Sequence, residues 1–109
     1  MPDTTLERLA ATIRARRTQD PAKSYTRQLL DAGPDRCARK LGEEAIETVI
    51  AGIREDDATL QAEAADLIYH LMVLLESRGV ALEQVLEVLE QRMGESGLEE
   101  KARRGGKGE

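Results

Sequence analysis

The spacing of the apolar residues constrains the fold of this chain most strongly, because it follows the period of an α-helix. Leu60, Ala64, Leu67, Leu71 and Leu74, for example, recur at intervals of three or four residues. No segment alternates apolar and polar residues for long enough to predict a strand. The aromatic residues are two Tyr, with no Phe and no Trp, so aliphatic residues and Ala must fill the core. The sequence therefore predicts an all-α fold.

Caps and helix breakers divide the first part of the chain. Thr4 and Glu7 have the spacing of a capping box, which predicts a first helix as far as about Arg17. The segment "KSYTRQLL" reads as a loop that enters a short helix, and Gly33-Pro34 ends that helix. Two short helices are therefore expected in this part of the chain.

The second part of the chain predicts longer helices. One helix is expected over residues 35–54. A second is expected from Asp57, as its N-cap, to the terminating Gly79, and a final amphipathic helix follows. We therefore expect a helix bundle of four to five helices. It forms one domain over residues 1–93, followed by a mobile tail over residues 94–109.

Charge is distributed unevenly along the chain. The net charge is -5, yet basic residues prevail over residues 12–40 and acidic residues over residues 41–100. An anionic ligand could bind at the first segment and a cation at the second. Solvated helix faces would give the same pattern.

Several classes of protein are not expected from the composition. The single cysteine, Cys37, excludes an internal disulfide and a cysteine-built zinc site, and we expect it to pack as a small apolar residue. The scarcity of aromatic residues argues against nucleic-acid binding by stacking. No apolar run reaches about 18 residues, so no membrane span is expected. The N-terminus does not resemble a targeting peptide, and we expect a cytoplasmic location.

Two pairs of acidic residues are candidates for a functional site. Glu44 and Glu47 form an E-x-x-E, and Glu63 and Asp66 form an E-x-x-D. Residues three apart are neighbours on a helix surface, so two such helices packed antiparallel would bring four carboxylates together. These carboxylates would repel one another unless a cation lay among them. An all-oxygen ligand set favours Mg²⁺ or Mn²⁺, and hence phosphate chemistry.

The second acidic pair is the more informative one, since E-x-x-E is common on exposed helices. Glu63 and Asp66 lie in the largely apolar segment "AEAADLIYHLMVLL", which predicts a buried helix on which unpaired carboxylates would be costly. His70 lies one turn beyond Asp66 and is expected as a hydrogen-bonded residue beside the site or in the core, rather than as a metal ligand. A di-iron bundle would need two Glu-x-x-His motifs, and the chain has one histidine.

A basic and hydroxyl-rich region is the candidate phosphate-binding side. The candidates are Lys23, Ser24, Thr26, Arg39 and Lys40. They offer cations and hydroxyl donors to an anion before and after a short helix. Ordinary helix capping by Ser24 or Thr26, and a Lys40–Glu44 ion pair, would explain the same residues. The sequence contains no G-x-x-x-x-G-K-[ST] loop, which excludes an ordinary P-loop.

Two segments carry a resemblance to a known family. They are "KSYTRQLLDAGPDRCARKLGEEAIETVIAG" and "AEAADLIYHLMVLLESRGVALEQVLEVLEQR". Together they resemble the phosphoribosyl-ATP pyrophosphohydrolases of histidine biosynthesis, within the broader all-α nucleotide pyrophosphohydrolases. The S-Y-T, K-x-G-E-E and D-L-x-Y-H features follow in the order of that family, and fifteen residues separate Glu47 from Glu63.

The resemblance implies an activity and roles for the acidic residues. The expected reaction splits the α–β phosphoanhydride of phosphoribosyl-ATP, releasing pyrophosphate and phosphoribosyl-AMP. Glu44, Glu47, Glu63 and Asp66 stand at the metal-binding positions, with Mg²⁺ or Mn²⁺ as the expected cofactor. Glu47 or the neighbouring Glu43 could accept a proton from the attacking water. The resemblance also implies a homodimer and a separate cyclohydrolase for the next step.

Two other functions remain open at this point. The chain could be a related enzyme that hydrolyses (d)NTPs, because the broader signature is shared by enzymes with several nucleotide substrates. It could instead be a helical dimerisation module without activity, whose acidic face is merely solvated.

Overall fold

Five α-helices build residues 5–93 of the chain. The computed structural model describes residues 4–94, 101–102 and 104, and no strand occurs among them. The helices are α1 (Thr5–Ala15), α2 (Tyr25–Ala32), α3 (Pro34–Arg54), α4 (Asp57–Ser77) and α5 (Leu82–Met93), with a 3-10 turn over Arg16–Thr18. The predicted all-α bundle is thereby confirmed. Most of the predicted tail, residues 95–100, 103 and 105–109, lies outside the described residues.

Side-chain caps fix where the helices begin. The Thr4 and Ser24 hydroxyls accept the backbone N–H groups of the third residue beyond them, at the starts of α1 and α2. The predicted cap at Asp57 was wrong by one residue. Asp56 has the extended backbone of an N-cap and its carboxylate accepts the Thr59 N–H at 2.8 Å, so Asp57 is already helical.

The α3–α4 hairpin is the largest contact in the molecule. Only two residues connect the helices, so they pack antiparallel along their length. Gly52 on α3 faces Leu60 on α4, whose Cδ1 would lie in ordinary van der Waals contact, at 3.8 Å, with an added Cβ. Each helix of this hairpin carries one acidic pair: α3 carries the E-x-x-E and α4 carries the E-x-x-D. This is the antiparallel arrangement that we expected for the two pairs.

The hydrophobic core lies beside the C-terminal half of α4. Its buried members are Ile13, Leu29, Leu30, Cys37, Met72, Val73 and Leu82. Cys37 is fully buried and its thiol donates to the Leu29 carbonyl at 3.3 Å, so it packs as expected. The core fixes α1, α2 and the start of α5 around α4, and so places the α2 N-terminus beside the hairpin.

An apolar surface remains exposed on the hairpin. Val49 and Ile53 on α3 are 60% and 76% exposed, and Ile46 and Ile50 are also exposed. Ile68 on α4 is exposed as well. The sequence predicted that α4 would be buried around most of its circumference. This was wrong for the single chain, because α4 leaves apolar side chains such as Ile68 exposed. No helix in the described part of the chain is long and apolar enough to cross a membrane.

Candidate active site

Three carboxylates converge between α3 and α4. Glu44, Glu63 and Asp66 each offer one oxygen, and these oxygens all lie within 4.8 Å of one another. The pairing follows from helix geometry, because Glu63 and Asp66 are one turn apart on α4 and face Glu44 across an antiparallel contact. This spacing matches what a single bound cation would span. We call these three residues and Glu47 the carboxylate cluster.

Glu47 completes the cluster electrostatically. Burial raises the pKa of Glu44, and a hydrogen bond and charge repulsion from Glu47 raise it further, followed by repulsion from Asp66 and Glu63. Burial likewise raises the pKa of Glu63, followed by repulsion from Glu47 and Asp66. Like charges held this close disfavour ionisation unless a cation neutralises them. Three of the four predicted carboxylates therefore converge, and Glu47 lies near them without being one of the three. Metal binding by Glu47 stays a prediction.

Burial within the cluster differs from the expectation. The sequence predicted buried carboxylates at Glu63 and Asp66, but Asp66 is exposed and Glu63 only partly buried. Glu44 is also partly buried, with 14% of its side chain exposed. Its Oε2 is buried without a hydrogen-bond partner in the described part of the chain. A buried carboxylate oxygen without a donor is costly, and a cation at the cluster would satisfy it.

His70 lies behind Glu44 rather than among the three converging carboxylates. It is buried, and its Nε2 is 4.0 Å from Glu44 Oε1. The Tyr69 ring packs edge-on against its imidazole at 4.9 Å, and the Tyr25 ring does so at 6.3 Å. Burial lowers the pKa of His70, and the positive charge of Lys40 lowers it further. The imidazole is therefore neutral near pH 7.

The hydroxyl residues of the candidate phosphate side have partners within the fold. The Ser24 hydroxyl accepts the Arg27 N–H at 3.1 Å, so the capping alternative applies to it. The buried Thr26 hydroxyl hydrogen-bonds the Tyr69 hydroxyl at 2.5 Å. This bond joins the start of α2 to the α4 segment that carries His70. A role for either hydroxyl in substrate binding stays a prediction.

Lys40 is the predicted cation that the structure places at the cluster. Its Nζ lies 3.1 Å from Glu43 Oε1, so the ion pair joins it to Glu43 and not to Glu44 as the sequence suggested. The hydrogen bond to Glu43 raises the pKa of Lys40, and the negative charges of Glu43 and Glu44 act in the same direction. Lys23 and Arg39 are exposed.

Comparisons with known proteins identify the family. The sequence model described as "Phosphoribosyl-ATP pyrophosphohydrolase" matches residues 6–93. A phosphoribosyl-ATP pyrophosphatase of Cereibacter sphaeroides is 55% identical over 102 residues, which are 94% of this chain and 99% of that protein. Phosphoribosyl-ATP pyrophosphatase 1 of Bradyrhizobium diazoefficiens is 55% identical over 95% of this chain and 98% of its own length. The corresponding protein of Erythrobacter litoralis is 56% identical over 93% and 97%.

The chain belongs to the phosphoribosyl-ATP pyrophosphohydrolase family. The family match covers all five helices and every residue of the carboxylate cluster. The three relatives are similar over nearly their whole lengths, so the likeness does not depend on a short motif. The resemblance inferred from the sequence is confirmed.

Three residues around this family's acidic signature were not assigned roles from the sequence. The Thr48 hydroxyl lies 2.8 Å from the Glu44 carbonyl oxygen and 3.1 Å from the Glu63 carbonyl oxygen, and so joins the two helices at the cluster. Tyr25 and Tyr69 enclose His70. A signal existed for the tyrosines, because they are the only aromatic residues of the chain and both adjoin predicted site residues. No signal marked Thr48, whose contact depends on the helix pairing.

Proposed function

We propose that the chain hydrolyses phosphoribosyl-ATP to phosphoribosyl-AMP and pyrophosphate, the second step of L-histidine biosynthesis. The observation that carries this proposal is the convergence of Glu44, Glu63 and Asp66 within 4.8 Å, in a chain of this family. Such a cluster on a rigid hairpin suits hydrolysis of a phosphoanhydride, in which negative charge must be offset.

The cluster fits Mg²⁺, with Mn²⁺ as a substitute. Its donors are carboxylate oxygens, which hard divalent cations prefer. Glu44, Glu63 and Asp66 would hold the ion, and the unpartnered Oε2 of Glu44 supports this assignment. When bound, the ion supplies positive charge to the phosphates and lowers the pKa of the attacking water.

Glu47 is our candidate for the residue that accepts the water's proton. It lies beside Glu44 but outside the three residues whose oxygens converge, so it is not one of the three that would hold the ion. Glu43 is the weaker candidate because its carboxylate is paired with the Lys40 ammonium. A base in hydrogen-bond reach of the water would raise its nucleophilicity in the transition state.

Lys40 is the best-supported candidate for binding the phosphates. It lies near the cluster and stays protonated, so it can neutralise a phosphate oxygen by exchanging part of its contact with Glu43. Lys23 and Arg39, with Ser24 and Thr26 as neutral donors, complete the proposed substrate set. The exposure of Lys23 and Arg39 is compatible with contacts that form when substrate binds.

We also propose a homodimer. The exposed apolar side chains of α3 and α4 form one surface on the hairpin, larger than isolated apolar residues would make. A second copy of the same hairpin would cover it and form a four-helix contact. The cytoplasmic location and the separate cyclohydrolase stay predictions from the sequence.

A substrate panel tests the proposed activity. Pyrophosphate release should be seen with phosphoribosyl-ATP and Mg²⁺, and should be weak with dATP, dCTP and dUTP. Turnover of the dNTPs alone would assign the chain to a related enzyme of the broader group. Turnover of neither, together with no stabilisation by Mg²⁺, would contradict an enzymatic function and favour a helical dimerisation module.

A further inference from the structure

His70 is a buried polar residue for which the proposed reaction has no step. Its side chain is 7% exposed, and Nδ1 is buried without a hydrogen-bond partner in the part of the chain described. Since Nδ1 has no acceptor to donate to among the described residues, Nε2 is the nitrogen whose N–H can be used, and Nδ1 is then the unprotonated nitrogen. A histidine kept only for packing would be replaced by an aliphatic side chain without the cost of burying a polar atom.

The surroundings of His70 hold its ring in one orientation. Tyr69 packs edge-on against it on one side and Tyr25 approaches edge-on from α2. Tyr69 is itself fixed by its hydrogen bond to Thr26. The ring is thereby oriented with Nε2 towards Glu44 Oε1 at 4.0 Å. At this distance the two atoms face each other without a direct hydrogen bond.

Glu44 is the cluster member that most needs such a neighbour. Its Oε2 is buried without a partner among the described residues, and its other oxygen, Oε1, is the one that faces His70 Nε2. Carboxylates that bind metals are themselves commonly held by hydrogen bonds from neighbouring residues, which fix their orientation. Three ionisable side chains of α4 face Glu44. The carboxylates of Glu63 and Asp66 can only accept hydrogen bonds and repel Glu44, whereas the imidazole of His70 can donate one.

We propose that His70 is a positioning residue, whose Nε2–H donates to Glu44 and holds its carboxylate towards the metal-binding centre. His70 then acts through Glu44 and does not bind the ion itself. This inference rests on the proposed metal centre. It also explains why the Tyr25 and Tyr69 rings surround an imidazole, because they set the direction in which it donates.

Mn²⁺ affinity tests the proposal without relying on turnover. Tag-free full-length protein would be titrated with Mn²⁺ and free ion followed by EPR, for wild type, His70→Leu and His70→Gln. Leu keeps the volume but removes the donor, and we expect its affinity to fall about 10- to 100-fold. Gln keeps an N–H donor near the Nε2 position, and we expect it to recover most of the affinity.

Val73→Ala is the matched control. Val73 lies on the same helix, is fully buried and belongs to the core. Its truncation lowers the stability without altering a group that faces Glu44, so Mn²⁺ affinity should stay at the wild-type value. An equal loss of affinity in Val73→Ala and His70→Leu would overturn the proposal, as would equal affinity in the wild type and both His70 variants.

The wild-type protein gives a second readout that needs no variant. His70 is the only histidine of the chain, so an imidazole ¹⁴N coupling in the pulsed EPR spectrum of bound Mn²⁺ can come only from it. The proposal predicts no coupling from a directly coordinated imidazole. Such a coupling would show that His70 is a ligand and overturn the positioning role. A wild type that binds no Mn²⁺ would instead overturn the proposed metal centre, and this inference with it.

Discussion

The hydroxyl of Thr48 on α3 lies 3.1 Å from the backbone carbonyl oxygen of Glu63 on α4. The same hydroxyl lies 2.8 Å from the carbonyl of Glu44, one turn earlier on its own helix. One side chain therefore joins the backbones of two residues whose carboxylates converge. This contact links the two helices in the register that brings the carboxylates together.

Thr48→Val should loosen this register while keeping the shape of the side chain. We expect unfolding free energy to fall by about 1 kcal/mol, the usual net contribution of a hydrogen bond of this kind, and Mg²⁺ affinity to fall with it. Urea denaturation and metal titration measure the two effects. Thr12→Val is the control, because the Thr12 hydroxyl bonds the Arg8 carbonyl within α1 alone. An equal effect of both variants would contradict a role for Thr48 between helices.

Glu63→Gln should stabilise the metal-free protein above about pH 4.5, the ordinary pKa of a glutamate. Burial and the neighbouring carboxylates raise the pKa of Glu63 in the folded state, so the folded chain holds this proton more tightly than the unfolded chain. The contribution of Glu63 to stability is therefore lost as the pH rises through the raised pKa. As the pH rises from about 4.5 through the raised pKa, the melting temperature of Glu63→Gln should therefore increase relative to that of the wild type.

Added Mg²⁺ should reverse the order, since the ion stabilises the intact cluster and the variant has lost a ligand. Glu87→Gln removes the same charge from the exposed surface of α5 and should show neither effect. A pH-independent difference between Glu63→Gln and wild type would contradict the repulsion within the cluster.

Thr26→Val and Tyr69→Phe separate two roles for Thr26. Each variant removes one hydroxyl of the buried Thr26–Tyr69 hydrogen bond, so both should lower the unfolding free energy by about 1–3 kcal/mol. If this bond is the main role of Thr26, the two variants should have similar KM values for phosphoribosyl-ATP. A KM raised in Thr26→Val but not in Tyr69→Phe would instead support Thr26 as a substrate donor.

The fold was largely predictable from the sequence, and the side-chain environment of the site was not. Helical spacing and caps predict a bundle of four to five helices, and i,i+3 pairs single out the three carboxylates that converge, because both depend on contacts between near neighbours. The displacement of the α4 cap from Asp57 to Asp56 is a one-residue error typical of helix ends.

Long-range contacts account for the rest. Glu44 holds the buried carboxylate oxygen without a partner in the described part of the chain, and this depends on how closely α3 and α4 approach each other. The roles of Thr48 and of the Tyr25 and Tyr69 rings likewise require knowing which residues of α2, α3 and α4 meet. Periodicity along one helix carries no such information.

Ile50→Glu tests the proposed homodimer. Ile50 lies on the exposed apolar surface of α3, and a buried carboxylate there would strongly disfavour association. Sedimentation velocity at micromolar concentration should show a dimer for wild type and a monomer for the variant. Leu6→Glu on α1 is the control, since Leu6 is an exposed apolar residue on a helix other than α3 and α4, and this variant should remain dimeric. A monomeric wild type would contradict the proposal.

Pyrophosphate release from phosphoribosyl-ATP by wild type and Asp66→Asn tests the central claim, that the carboxylate cluster is the metal-dependent hydrolytic centre. Asn keeps the size of the side chain but removes the charge from one of the three converging carboxylates. We expect wild-type turnover that requires Mg²⁺ and is lost with EDTA, and a decrease of about a hundredfold or more in the variant. Full turnover by Asp66→Asn, or wild-type turnover that persists in EDTA, would contradict the account.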